Sequence, residues 1–224
     1  MTRQAADYLQ SLADLPHGGK LVLCGVEWED YGNLLQDLGE SSAFRINYSN
    51  ERLEVMRPST KHERFKGVIN LLLLSICDEL EMDVVSFGSF TMKSDLLRKG
   101  VEADNSFYIR HAGAVQCKDD VNLAFDPPPD LVIEIDLTHD SHDKLEIYAT
   151  LGVPEIWRYD GSRASILRLV DGAYADAEFS LCFPFLSAHE LAELIATLAP
   201  GTHQARREVR AWVRANKPPV FTSE

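Results

Sequence analysis

Residues 131–137 read Leu131-Val132-Ile133-Glu134-Ile135-Asp136-Leu137, and this stretch decides the fold. Its apolar, β-branched character marks a strand. The stiff segment Asp126-Pro127-Pro128-Pro129-Asp130 feeds it, and a helical stretch, 141–151, follows and ends at Gly152. Side chains alternate faces along a strand, so Glu134 and Asp136 point the same way. Two readings of that pair stand. At a sheet edge both acids are solvated, with Ile133 and Ile135 in the core. In a central strand a buried carboxylate is costly unless paired, protonated or bound to a metal. Two carboxylates on one buried face invite a divalent cation or a lysine.

On the N-terminal side, residues 27–38 (EWEDYGNLLQDL) predict a short amphipathic helix. Residues 44–56 (FRINYSNERLEVM) predict a β-hairpin turning at Ser49-Asn50. After Pro58, Thr60 and Glu63 have the spacing of a capping box, and a long helix is expected to run to about Leu80. Strands are expected at 83–92 and 103–110, the second opening with Asp104.

On the C-terminal side, EIWRYD, SILRLV and AYADAEFS, separated by turns at Gly161 and Asp171-Gly172, read as an antiparallel meander. Two helical stretches close the chain. The first starts at the capping box Ser187–Glu190, and the second carries Arg206, Arg207, Arg210 and Arg214. The order predicts an α/β (α+β) domain with a mixed sheet over residues 1–200, then a C-terminal helix and tail over 201–224.

The chain has 35 acidic side chains against 22 Lys plus Arg, a formal net charge of −13. That charge argues against coating nucleic acid through a broad basic surface, though not against a local basic patch or a metal that makes one. The four cysteines, Cys24, Cys77, Cys117 and Cys182, form no CxxC pair, so a reducing cytoplasm fits better than a disulfide framework. The first residues lack the apolar segment of a signal peptide, and no apolar run is long enough to span a bilayer.

Three neighbours favour the chemical reading of Glu134. Asp104 would lie beside it if the two strands pair. Lys144 opens the following helix, and Glu63 sits in the first turn of the long helix. Carboxylates with one lysine make a hard-oxygen site suited to Mg²⁺ or Mn²⁺, a setting for phosphodiester hydrolysis. Asp136 has three roles open to it: coordinating the metal, orienting Lys144, or simple solvation. His139 and His142 are spaced as a metal pair, but a polar loop and helix start explain them equally well. His62, beside Glu63, could touch substrate or be an exposed cap residue, and Tyr148 reads as a packing residue.

The segments RINYSNERLEVMRPSTKHE, GVEADNSFYI, PPPDLVIEIDLTHDS and IYATLGVPEIWRYDG resemble the Uma-two family, which is placed in the PD-(D/E)XK nuclease superfamily. The resemblance covers residues 25–190 or so. It implies a restriction-endonuclease-like core of helix, mixed sheet and helix, with the hairpin before it and helices after it. It also implies metal-dependent cleavage of DNA, with catalytic residues Glu63, Asp104, Glu134 and Lys144 and Mg (or Mn) on Asp104, Glu134 and Asp136. Such enzymes commonly pair two sites to cut two strands, which implies a homodimer. This chain departs from the superfamily pattern twice. Asp136 stands where the lysine is usual, making Lys144 the displaced candidate, and Ala103 stands before Asp104 in place of proline. Those departures feed the alternative of a catalytically inactive nuclease fold acting as a binding or regulatory module. Reach of Lys144 to Glu134 separates the two.

Overall fold

The computed structural model describes residues 12, 14–39, 43–137 and 141–218. The N-terminal stretch 1–11 and His139 lie outside the described residues. Two sheets share the strands, where the sequence predicts one mixed sheet. The first runs in the order Lys20–Cys24, Arg52–Met56, Arg45–Ser49, Lys99–Glu102, Thr91–Ser94, and the second Ala173–Ala177, Ala164–Val170, Glu155–Tyr159, Leu131–Ile135, Asn105–Tyr108, Val85–Ser86.

In the first sheet β1 (Lys20–Cys24), β2 (Arg45–Ser49) and β3 (Arg52–Met56) are antiparallel neighbours. Helix α1 (Trp28–Leu38) covers them, burying Tyr31 and Leu34 against Ile46, Tyr48, Leu53 and Val55. The hairpin reverses one residue later than the sequence predicts. Asn50 and Glu51 both take positive φ, 51° and 59°, as a twist-matched two-residue turn requires. Glutamate rarely takes that conformation, so the sequence alone points to a turn at Ser49-Asn50.

The stretch expected as two long strands is four short ones. These are β4 (Val85–Ser86), β5 (Thr91–Ser94), β6 (Lys99–Glu102) and β7 (Asn105–Tyr108). β5 and β6 pair with each other in the first sheet, while β4 and β7 pair in the second. Gly88, at φ 61°, breaks the expected strand 83–92 between them. Asp104 therefore stands between β6 and β7, at the point where the chain leaves one sheet for the other.

The second sheet carries the deciding stretch. Strand β8 (Leu131–Ile135) lies between β7, antiparallel, and β9 (Glu155–Tyr159), parallel. It is a central strand, and all five residues are buried, which removes the edge-strand reading. Its parallel link to β9 is helix α4 (His142–Leu151), stopped by Gly152 in the left-handed region at φ 78°. A short helix, α3 (Ala112–Val115), precedes β8, and β10 (Ala164–Val170) and β11 (Ala173–Ala177) complete the meander.

Alternation on β8 sorts the core into two layers. Leu131, Ile133 and Ile135 face helix α2 (Thr60–Leu80) together with α5 (Ala188–Leu198) and α6 (His203–Asn216). Val132 faces the other side, toward Ile147 and Tyr148 of α4 and Met92 and Val101 of the first sheet. Glu134 shares the Val132 face. The C-terminal helix α6 contributes Ala205, Val209 and Val213 to the same apolar cluster as α2 and β8. Its Arg210 and Arg214 pair with Asp78 and Glu79 of α2. Among the described residues, no helix is long and apolar enough to cross a membrane.

Candidate active site

The register of β7 and β8 sets Asn105 opposite Ile133, so Asp104, one step before Asn105, comes level with Glu134. The carboxylate of Asp104 is 1% exposed, and its Oδ2 accepts the backbone N–H of Ile135 at 2.8 Å. Glu134 is equally buried and points at α4. Lys144 and Tyr148 stand four residues apart on that helix, one turn above the other. Lys144 Nζ donates to Glu134 Oε2 at 2.7 Å, and the Tyr148 hydroxyl donates to Oε1. A second bond, 3.3 Å to the Glu102 carbonyl oxygen, fixes the Lys144 ammonium.

Burial pushes the Glu134 carboxyl up to about 7, with Lys144 opposing the rise and Asp104 adding to it. Burial alone would pull the Lys144 ammonium down, but the facing carboxylates of Glu134 and Asp104 leave it raised. Burial would also raise Asp104. There the His62 hydrogen bond, the Lys144 charge and the Ile135 N–H prevail, and its carboxyl sits below the usual range.

The remaining predicted residues, Glu63 and Asp136, lie nearby, each held by partners of its own. Ser59, not Thr60, caps α2, its hydroxyl accepting from the His62 N–H at 3.2 Å. The expected capping box is thus displaced by one residue, and Glu63 falls a position too late to close it. Its half-exposed carboxylate instead takes Arg45 Nη2 at 3.2 Å. Asp136 lines the mouth of the cleft, held by Arg158 at 2.6 Å and by the Ser141 N–H at 2.9 Å.

Three residues of this neighbourhood escaped the sequence reading. His62 is 4% exposed, not an exposed cap, and its Nε2 lies 2.9 Å from Asp104 Oδ2. The buried Arg45 guanidinium brings Nε within 3.5 Å of Asp104 Oδ1. Tyr148 holds Glu134 rather than merely packing. Only Tyr148 had a usable signal, its four-residue spacing from Lys144 on a helix that follows an acidic strand.

A cleft of about 30 Å³ opens onto Asp104, Glu134, Lys144, Asp136, Glu54 and Lys20. That volume suits a water molecule or a small ion, not a substrate. Glu54 and Lys20 come from the first sheet and pair at 2.6 Å, and Arg52 pairs with Glu54 and reaches Asp143 of α4 at 3.4 Å. The first sheet is thereby tied to the helix that carries Lys144.

Among the described residues, no three His, Cys, Asp or Glu side chains gather into a metal-holding group. The donor chemistry nevertheless fits Mg²⁺, which takes one or two carboxylates and keeps several waters. Asp104 Oδ1 is buried and makes no hydrogen bond. Each Glu134 oxygen accepts one bond and retains a second lone pair.

The fold thus brings together an acid just before one strand, a second acid on the adjoining strand and a lysine on the helix that follows it. The chain belongs to the Uma2 family, whose model, described as "Putative restriction endonuclease", matches residues 28–199. Among solved structures it is similar to a "putative nuclease belonging to DUF820" from Anabaena variabilis ATCC 29413. The identity is 14% and the TM-score 0.48, over 84% of this chain and 99% of that one. No curated protein matches.

Proposed function

We propose that this protein is a Mg²⁺- or Mn²⁺-dependent DNA endonuclease that hydrolyses phosphodiester bonds. The observation that carries the reading is the 2.7 Å contact of Lys144 with Glu134, with Asp104 level with it just before the neighbouring strand. It supports Lys144 as the displaced lysine of the nuclease motif. Asp104 and Glu134 would hold the cation, which when bound polarises the phosphodiester and makes water a better nucleophile at neutral pH. Lys144 balances the charge that develops on the phosphate, and Glu63 serves as an outer ligand through water. Asp136, paired with Arg158 and the Ser141 N–H, lines the same cleft.

The net charge of −13 predicts weak, salt-sensitive DNA engagement that needs the cation. A homodimer would supply the second site for cutting both strands, and the cytoplasm is the proposed compartment. Cleavage of plasmid and single-stranded DNA with Mg²⁺ and Mn²⁺ tests the reading. Wild type is expected to cut, and Glu134→Ala and Asp104→Ala to lose activity. Equal rates in all three would sink the site. Metal binding without cleavage of either DNA would favour the alternative, a catalytically inactive binding or regulatory module.

A further inference from the structure

The groups around Asp104 divide unequally between its two oxygens. Oδ2 receives His62 Nε2 at 2.9 Å and the Ile135 N–H at 2.8 Å. Oδ1 makes no hydrogen bond and lies 3.5 Å from Arg45 Nε. An ionised carboxylate only accepts, so the His62 nitrogen at Oδ2 is the protonated one. The imidazole is itself buried and held at the first turn of α2, where the Ser59 cap fixes its backbone. Its Nδ1 makes no hydrogen bond, so its one hydrogen bond is spent on Asp104.

We propose that His62 is a positioning residue for Asp104. With the Ile135 N–H it occupies Oδ2, and so leaves Oδ1 as the atom presented to the cation. The inference rests on reading Asp104 and Glu134 as the cation's carboxylates. A cation at Oδ1 must coexist with the Arg45 guanidinium, so a carboxylate free to rotate would turn toward arginine and bind metal less well. Hydrogen-bond partners of this kind commonly contribute 10- to 100-fold to metal affinity.

The test is calorimetric titration of the full-length protein with Mn²⁺ in the absence of DNA, beside thermal unfolding. The variants are His62→Gln, whose amide N–H can donate to Oδ2, and His62→Leu, which fills space but cannot donate. The Leu variant is expected to bind Mn²⁺ at least 10-fold more weakly, and the Gln variant to recover most of that loss. Wild-type affinity in a folded Leu variant, or equal weakening in both folded variants, overturns the inference. If the Leu variant does not fold, the Gln variant carries the test: affinity within about threefold of wild type supports the inference, and a 10-fold or greater loss overturns it. If wild type binds no Mn²⁺, or Asp104→Ala binds it undiminished, the reading of the site itself has failed, and this inference with it.

Discussion

Lys144 Nζ lies 2.7 Å from Glu134 Oε2, ten positions away in the chain, with both side chains buried. An ion pair so enclosed is costly to form and more costly to break on one side, because the surviving charge has no solvent. The variant Lys144→Met should lose about 3–5 kcal/mol of stability on that account. It should also lose at least about 100-fold in cleavage rate. The double variant Glu134→Gln with Lys144→Met should regain much of the stability and none of the activity. Urea denaturation and plasmid nicking measure the two effects. Recovery of both together would show that the pair is structural only.

The raised carboxyl of Glu134 makes stability depend on pH. Its ordinary value is 4.5, and in the folded protein it stands at about 7. Between those values the folded state holds a proton that the unfolded state has released. The contribution of Glu134 is therefore fully present below 4.5 and is lost as pH rises through 7. Wild type should lose stability relative to Glu134→Gln across that window. Denaturant melts at several pH values check this, and a constant difference between the two proteins would refute it.

Tyr148 holds the other oxygen of Glu134. The substitution Tyr148→Phe keeps the ring and removes one donor, which should cost about 1 kcal/mol of stability. Cleavage should fall about 10-fold with little change in KM, as expected for a group that positions Glu134 rather than binding DNA. Steady-state kinetics separates the two parameters, and a rise in KM alone would count against the assignment.

Glu155 concentrates stability away from the proposed chemistry. Its fully buried carboxylate accepts from Trp157 Nε1 at 2.6 Å, Ser180 Oγ at 2.6 Å, and the backbone N–H groups of Leu181 and Cys182. Glu155→Ala leaves four donors unsatisfied, three of them buried, and should cost about 3 kcal/mol or more. For a chain of this size that is a drop of roughly 6–12 °C in Tm, readable by thermal melting.

Gly100 on β6 has no room for a side chain. A Cβ there would stand 2.1 Å from the Tyr31 hydroxyl oxygen and 2.7 Å from its ring carbon Cζ. Gly100→Ala should destabilise the first sheet by about 1–3 kcal/mol through overpacking. Adding Tyr31→Phe should relieve only part of the loss, because the ring carbon remains in the way. Denaturant midpoints of the two variants measure the difference.

What the sequence determined by itself was set by local pattern. The apolar run 131–135 could only be a strand, the 3.6-residue periodicity of 60–80 only a helix, and Gly152 only a stop. The acid in the middle of that run also marked a candidate site, because in a central strand an uncompensated carboxylate is too costly to keep. Tertiary structure decided where the strand lies and which groups surround Glu134 and Asp104. Arg45, His62 and Asp104 meet across separations of tens of residues, and no sequence period encodes such a meeting. The division of β5–β6 and β4–β7 between two sheets was likewise settled by pairing, since short strands carry too little pattern to name their neighbours. The sequence thus left Glu134 either solvated at a sheet edge or buried and in need of a cation. Only the packing of α4 between the two sheets made Lys144 that cation, because a helical side chain reaches a strand only where helix and sheet are pressed together.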